Sequence, residues 1–510
     1  MRAVRWMAVV LLVACGHHHA TGVADATGAG DAASDGGGGA SDAAGDGAPG
    51  DARMGTDGGG SGNGSGSGNG SGSGNGSGNG SGSGGGGGGS GSGGGSGSGP
   101  CAGVSICSGM FSADNGAALA VAVDAARNVY VAGEVAGDLR IGGQTWYAIG
   151  NRDSFVASFT EDGTLRWVKR LGGASAYSDA YGIAVDANSN VYVVGGGGSI
   201  DLGGGVTSGV GMFIVSYASD GTWRWARGDG GEGLLGVATA GSRVFAIGRF
   251  QNSLTLAPLA PLQSAGAEDV VVASFDAATG AAQWDRSIGS AGTDDEGGIT
   301  AHDTWLAFSV STSSGNRLVS YTAAGASRYD IALPAALDQR GLTSDGAGNL
   351  YLAGLHTGGT DTIGGAPYED GDNPFVHSFT SALASRWSWT LSIAPARHVS
   401  AVPYTSPSID PQGALVVAGT FDGTLYAGGT PLTLGQEHIF IARYGADGAP
   451  GGARKLDDGT SSAYEWVHGS AVDSAGAIYV AGQYFGTPNF GSGALTYAPE
   501  GGPLLLKLAP

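Results

Sequence analysis

The chain has 510 residues, 103 of them glycine, and a formal net charge of −21. Such an acidic body repels phosphate backbones and anionic lipid heads, so nucleic acid is excluded as an expected partner. Residues 1–99 hold three arginines against seven aspartates, a net −4, which leaves −17 on the remainder.

The N-terminus predicts a processing signal. Met1–Arg5 is basic, Trp6–Val13 is a short apolar run, and Leu12-Val13-Ala14-Cys15-Gly16 follows. The run is far below the roughly 20 residues of a membrane span. The segment resembles the lipobox of bacterial lipoproteins, which implies a signal peptide over 1–15 and lipidation of Cys15. A plain secretory signal with an incidental cysteine is the alternative. Gly16 instead of an acidic residue leans toward the outer membrane. His17, His18 and His19 have no further metal ligands beside them and read as a solvated polar run.

Residues 16–100 are almost entirely Gly, Ser, Ala, Asp, Asn and Thr, and Gly58–Gly99 is nearly pure Gly/Ser/Asn. A segment with so little apolar surface has nothing to offset its conformational entropy, so a disordered tether is expected. Its r.m.s. reach would be roughly 50 Å, at about 5–6 Å × √n. Neutral drift of a repeat-prone coding sequence is the alternative origin.

Residues 101–510 are predicted to fold. A hairpin pattern recurs seven times, clearest in Val121-Ala-Val-Asp124-Ala-Ala-Arg-Asn128-Val-Tyr130-Val-Ala-Gly133 and Ile183-Ala-Val-Asp186-Ala-Asn-Ser-Asn190-Val-Tyr192-Val-Val-Gly195. The third and fourth copies, beginning at Val237 and Ile299, are degenerate; the last three begin at Leu342, Ser408 and Ala471. Period-two alternation around an Asp/Asn/Gly turn predicts two short antiparallel strands. Asp124, Asp186, Asp345, Asp410 and Asp473 are expected to close these turns by accepting backbone N–H groups, with a calcium or ligand role as the alternative.

A second hairpin follows most copies and ends in an aromatic residue. Trp167, Trp225 and Trp284 are spaced by 58 and 59 residues, and Tyr329 and Trp387 by 58. One aromatic residue per repeat at fixed phase predicts a packing device between layers. Two hairpins per repeat make four strands, and seven repeats predict an all-β, seven-bladed β-propeller of four-stranded antiparallel blades. A β-solenoid is the alternative. The seventh copy ends at Leu504-Leu-Leu-Lys-Leu508 without its last strand, so Val104–Phe111 is predicted to supply it and close the ring. A disulfide between Cys101 and Cys107 is expected, unless both lie in one straight strand.

The repeats, with the middle elements Gly137-Asp-Leu139-Arg-Ile-Gly142-Gly143, Gly423-Thr-Leu425-Tyr-Ala-Gly428-Gly429 and Gly486-Thr-Pro-Asn-Phe490-Gly491, resemble the bacterial β-propeller repeat family over about residues 104–510. The resemblance implies the fold and export, and little about activity. Phe275-Asp-Ala-Ala-Thr-Gly280-Ala-Ala-Gln-Trp284 alone looks like an element of quinone-cofactor dehydrogenase propellers.

No zinc-protease, Walker or serine-elbow motif occurs in this part. His302, His356, His377, His398, His438 and His468 are scattered, and Asp294/Asp295 and Asp457/Asp458 read as solvated loop charge. No cofactor is expected. The expectation is a monomeric, lipid-anchored, non-catalytic scaffold at the cell envelope, binding a protein or glycan on one rim. The alternatives are a quinone-dependent or polysaccharide-acting propeller enzyme, or an envelope-assembly lipoprotein.

Overall fold

The computed structural model describes residues 106–510, except 114, 175–176, 208, 210, 358–361, 364–365, 368–371, 395–404, 428–429, 457–462 and 492. Cys15, Cys101, the histidines at 17–19, His398, Asp457, Asp458 and the tether therefore lie outside the described residues.

The described chain is all-β. Its strands fall into successive antiparallel sheets. The first sheet contains Gly116–Val123, Val129–Val135, Asp153–Phe159 and Leu165–Leu171, in sequence order from inside to outside. The second contains Ser178–Val185, Val191–Gly197, Gly211–Tyr217 and Trp223–Gly228. The third runs from Gly233–Ala240 to Ala282–Ile288, the fourth from Asp295–His302 to Ser327–Leu333, and the fifth from Leu337–Ser344 to Ser385–Thr390. The sixth runs from Thr405–Ile409 to Pro450–Leu456, with Ser392–Ala394 added beside Leu415–Ala427. The degenerate third and fourth copies thus form complete four-stranded sheets.

The seventh sheet contains Tyr464–Val472, Ile478–Gly486, Ala498–Leu508 and, outermost, Ile106–Cys107 from the other end of the chain. Ile106 pairs with Leu508 and Cys107 with Lys507. The closing strand is shorter than the sequence predicts, because Phe111 turns away and pairs with Ile141 in a small three-stranded sheet. Phe111 there packs against Phe155 and Phe159, at ring centroids of 5.6 and 5.9 Å. Cys107 is disulfide-bonded.

Second and third strands read as continuous apolar runs because both of their faces are covered. Val191–Val194 and Phe213–Val215 are fully buried. Their side chains build cores between adjacent sheets, not within them. Tyr192 and Val194 of the second sheet pack with Val244 and Ala246 of the third, for example. The series closes where Tyr479, Ala481 and Leu505 of the seventh sheet pack with Val129, Val131 and Ala157 of the first. First strands touch in the same cyclic order. The fold is a closed β-propeller, and among the described residues unpaired edges are confined to the short innermost and outermost strands of each sheet.

Candidate functional site

Two rims result. Hairpin turns joining first to second and third to fourth strands make one, the turn rim. The connections from second to third strand and from sheet to sheet make the other, the loop rim.

The turn rim carries the repeated polar residues. Asp124 accepts the Asn128 backbone N–H at 2.8 Å, the Asn128 amide at 2.9 Å and the Tyr130 hydroxyl at 2.9 Å. Arg166 donates to the Tyr130 oxygen at 3.2 Å and to Ser158 at 2.8 Å. Asp186, Asn190, Tyr192, Ser216 and Arg224 repeat this network, as do Asp345, Asn349, Tyr351, Ser378 and Arg386. Asp410 and Asp473 close their turns by accepting backbone N–H groups. These aspartates are engaged by their own repeats, as a structural role requires. The sequence reading missed the Ser and Arg partners, although each Arg directly precedes its Trp.

The tryptophans pack between sheets. Trp167, Trp225, Trp284 and Trp387 donate to Ser219, Ala277, Ala323 and Ala446 carbonyls of the following sheet, at 2.9–3.1 Å. Each ring lies on a glycine there: a Cβ on Gly280, at φ +73°, would come within 2.5 Å of Trp225. The Phe275–Trp284 element is therefore a turn, closed by Asp276 accepting from Ala278 and Thr279, plus a packing tryptophan. Tyr329 departs from the pattern. It is 40% exposed, and Trp305 is buried in its stead, with Arg328 over its ring at 5.0 Å.

The channel differs from the turn rim. A cavity of about 260 Å³ is lined by the first strands near the loop rim. In six sheets the pairing of first and second strand slips at that level. The skipped residues are Leu119, Tyr181, Leu235, the Gly297-Gly298 pair, Arg340 and His468, and all line the cavity. A β-bulge re-aims a side chain, and in five of these six sheets it presents one side chain to the cavity, the fourth presenting only glycine. Glycine follows in several copies because the next sheet comes close: a Cβ on Gly236 would lie 2.8 Å from Ile299. The x-Gly pair inside five of the first strands, as in Tyr181-Gly182 and His468-Gly469, was the available sequence signal.

Charge gathers here. Asp294 and Asp295 are not solvated loop charge. Asp294 is fully buried, accepting from Ser290 and Ser313, and Asp295 meets Arg249 at 2.9 Å. Arg249 also meets Glu268 at 3.3 Å and Glu296 at 3.4 Å. Burial pushes Glu296 up to about 7 against the pull of Arg249. Arg340 is ion-paired with Asp338. Burial holds His468 down at about 4, so it is neutral at pH 7. Farther out, Arg152 bridges Glu134 at 3.3 Å and Asp179 at 2.9 Å, and burial raises Glu134 to about 7. Tyr181 donates to Asp179 at 3.0 Å, and Arg152 lies 5.7 Å from the Tyr177 ring. Tyr177, Tyr147 and Ile149 are exposed at this junction of the first and second sheets.

Among the other histidines, His438 pairs with Glu465 at 2.8 Å and His377 with Ser385 at 2.9 Å, both away from the cavity lining.

Residues 166–199 match the family model described as Beta-propeller repeat. The match spans the last strand of the first sheet and the first hairpin of the second. No curated protein matches the chain. Among solved structures, the chain is similar to BamB from Moraxella catarrhalis at 12% identity, covering 69% of this chain and 88% of that one, TM-score 0.34. It is also similar to the C-terminal WD40 domain of Sif2 at 9% identity, covering 79% and 98%, TM-score 0.42. A third is a protein of unknown function from Bacteroides caccae, at 11% identity, 52% and 78% coverage, TM-score 0.30.

Proposed function

We propose that the chain is a non-catalytic binding propeller of the cell envelope, tethered through lipid on Cys15, which takes its ligand at the loop-rim mouth of the channel. One observation carries the reading: the bulges bring the residues that differ between repeats to one cavity, while the repeated residues pack or pair with one another elsewhere. The exposed Tyr147, Ile149 and Tyr177 extend that surface outward.

The test is capture of envelope polysaccharide and envelope protein by the full mature chain. Leu119→Arg and Leu235→Arg are expected to abolish capture, and Asn190→Ala on the turn rim to leave it intact. The reverse pattern would sink the reading. For the anchor, Cys15→Ala is expected to remove a metabolically incorporated alkyne-fatty-acid label and release the protein from membranes; a label that persists refutes lipidation there.

One observation favours a second reading, a polysaccharide-acting enzyme at the same mouth. Glu296 lines the cavity and titrates near 7, the range of a general acid. Bond cleavage by the wild type that Glu296→Gln abolishes would establish it.

A further inference from the structure

We propose that the loop-rim mouth takes a cationic head group, an ammonium or guanidinium, at the end of a longer ligand. This rests on the channel-mouth reading above and names its ligand chemistry.

Acceptors outnumber donors there. Two guanidiniums, Arg249 and Arg340, face Glu268, Asp295, Glu296 and Asp338 within ion-pairing distance, and Glu232 adds its field at Arg249. With Glu296 protonated, the three carboxylates of Glu268, Asp295 and Asp338 still face these two cations. His468 adds no charge at neutral pH.

Gln339 is the independent observation. It is 6% exposed and lines the cavity. Its amide nitrogen donates to the Val310 carbonyl at 3.3 Å, which only accepts, so the amide orientation is fixed. The Oε1 atom is buried with no donor among the described residues. A buried acceptor without a donor is costly, and a ligand that donates relieves it. Tyr181 adds an aromatic ring to the wall, and such a ring attracts a cation. The 260 Å³ volume is just under the roughly 300–1,000 Å³ of pockets that engulf a whole small molecule. It suits one end of a ligand. Among the described residues no group of three His, Cys, Asp or Glu converges as a metal site, so the fit is to an organic cation.

Titration calorimetry on the full mature chain tests this with four probes: spermidine, a short Lys/Arg peptide, chitotriose and an acidic peptide. Spermidine or the basic peptide is expected to bind, the tighter one naming the source of the cation. Tyr181→Ala and Asp295→Asn are each expected to weaken that binding tenfold or more. Far-UV circular dichroism and thermal melting establish that each variant is folded, and Asp295→Asn carries the test if Tyr181→Ala is not. Cation binding that survives the substitutions overturns the proposal, as does absence of cation binding. Chitotriose or acidic-peptide binding lost in the same variants overturns the cation inference and leaves the channel-mouth reading in place. Insensitivity of every probe fells both.

Discussion

The two rims of the ring are made by the same repeats, yet they differ in how their polar groups are satisfied. On the turn rim, Asp345 is surrounded by the Asn349 backbone and amide and the Tyr351 hydroxyl, each at 2.8 Å. On the loop rim, Glu268, Asp295 and Glu296 share one guanidinium, and the Gln339 oxygen has no donor. Closed networks hold a scaffold; the open one is where the proposed ligand site lies. Repetition in the sequence therefore marks what is structural, and its failure marks the candidate site.

Substitutions on each side sharpen the contrast. Trp225→Ala removes a ring that is 6% exposed and seated on the third sheet, and is expected to cost about 3–5 kcal/mol in chemical denaturation. A cost under about 1 kcal/mol would mean the sheets do not interlock there. Asp345→Ala strands the Tyr351 hydroxyl and the Asn349 amide, with an expected loss of about 2–3 kcal/mol, since buried unpaired donors are costly.

On the loop rim the sign depends on pH. The Glu296 carboxyl titrates near 7 in the fold against an ordinary 4.5. Its neutral form is the favoured one, so its contribution is fully present below pH 4.5 and is lost as pH rises through 7. Arg249, Asp295 and Glu268 face it in both protonation states. Wild-type stability minus that of Glu296→Gln is expected to fall between pH 5 and pH 8. Buried His377 and His468 act in the opposite sense, but they are present in both chains and drop out of the difference. A flat difference would place Glu296 in water. Smallest of all, Leu235→Ala at a bulge is expected to change stability by less than about 1 kcal/mol, because its side chain faces the cavity.

The fold was legible because the turns demand particular chemistry. Asp124 with Asn128, and Asp186 with Asn190, announce hairpins by residue type alone. The third and fourth copies are readable only by spacing, since Phe245 and Ala307 stand where four other copies have tyrosine and their turns lack the Asp/Asn pair. The site was not legible. A bulge shifts one residue out of the period-two pattern, so Tyr181, Arg340 and His468 look like interruptions of a strand instead of members of a ring. Asp294 looked solvated because adjacent charges usually are, and its partner Ser313 lies in the next hairpin.

The pairing of Ile106 with Leu508 bears on how the protein is made. That contact spans about 400 residues, and closing a loop of that length costs on the order of 5 kcal/mol of chain entropy. It cannot form until the last residues have been synthesised. Until then the seventh sheet lacks the strands that complete it, and the ring is not sealed. Such a high contact order slows folding, and it makes the pairing of Ile106 with Leu508 the step that seals the ring.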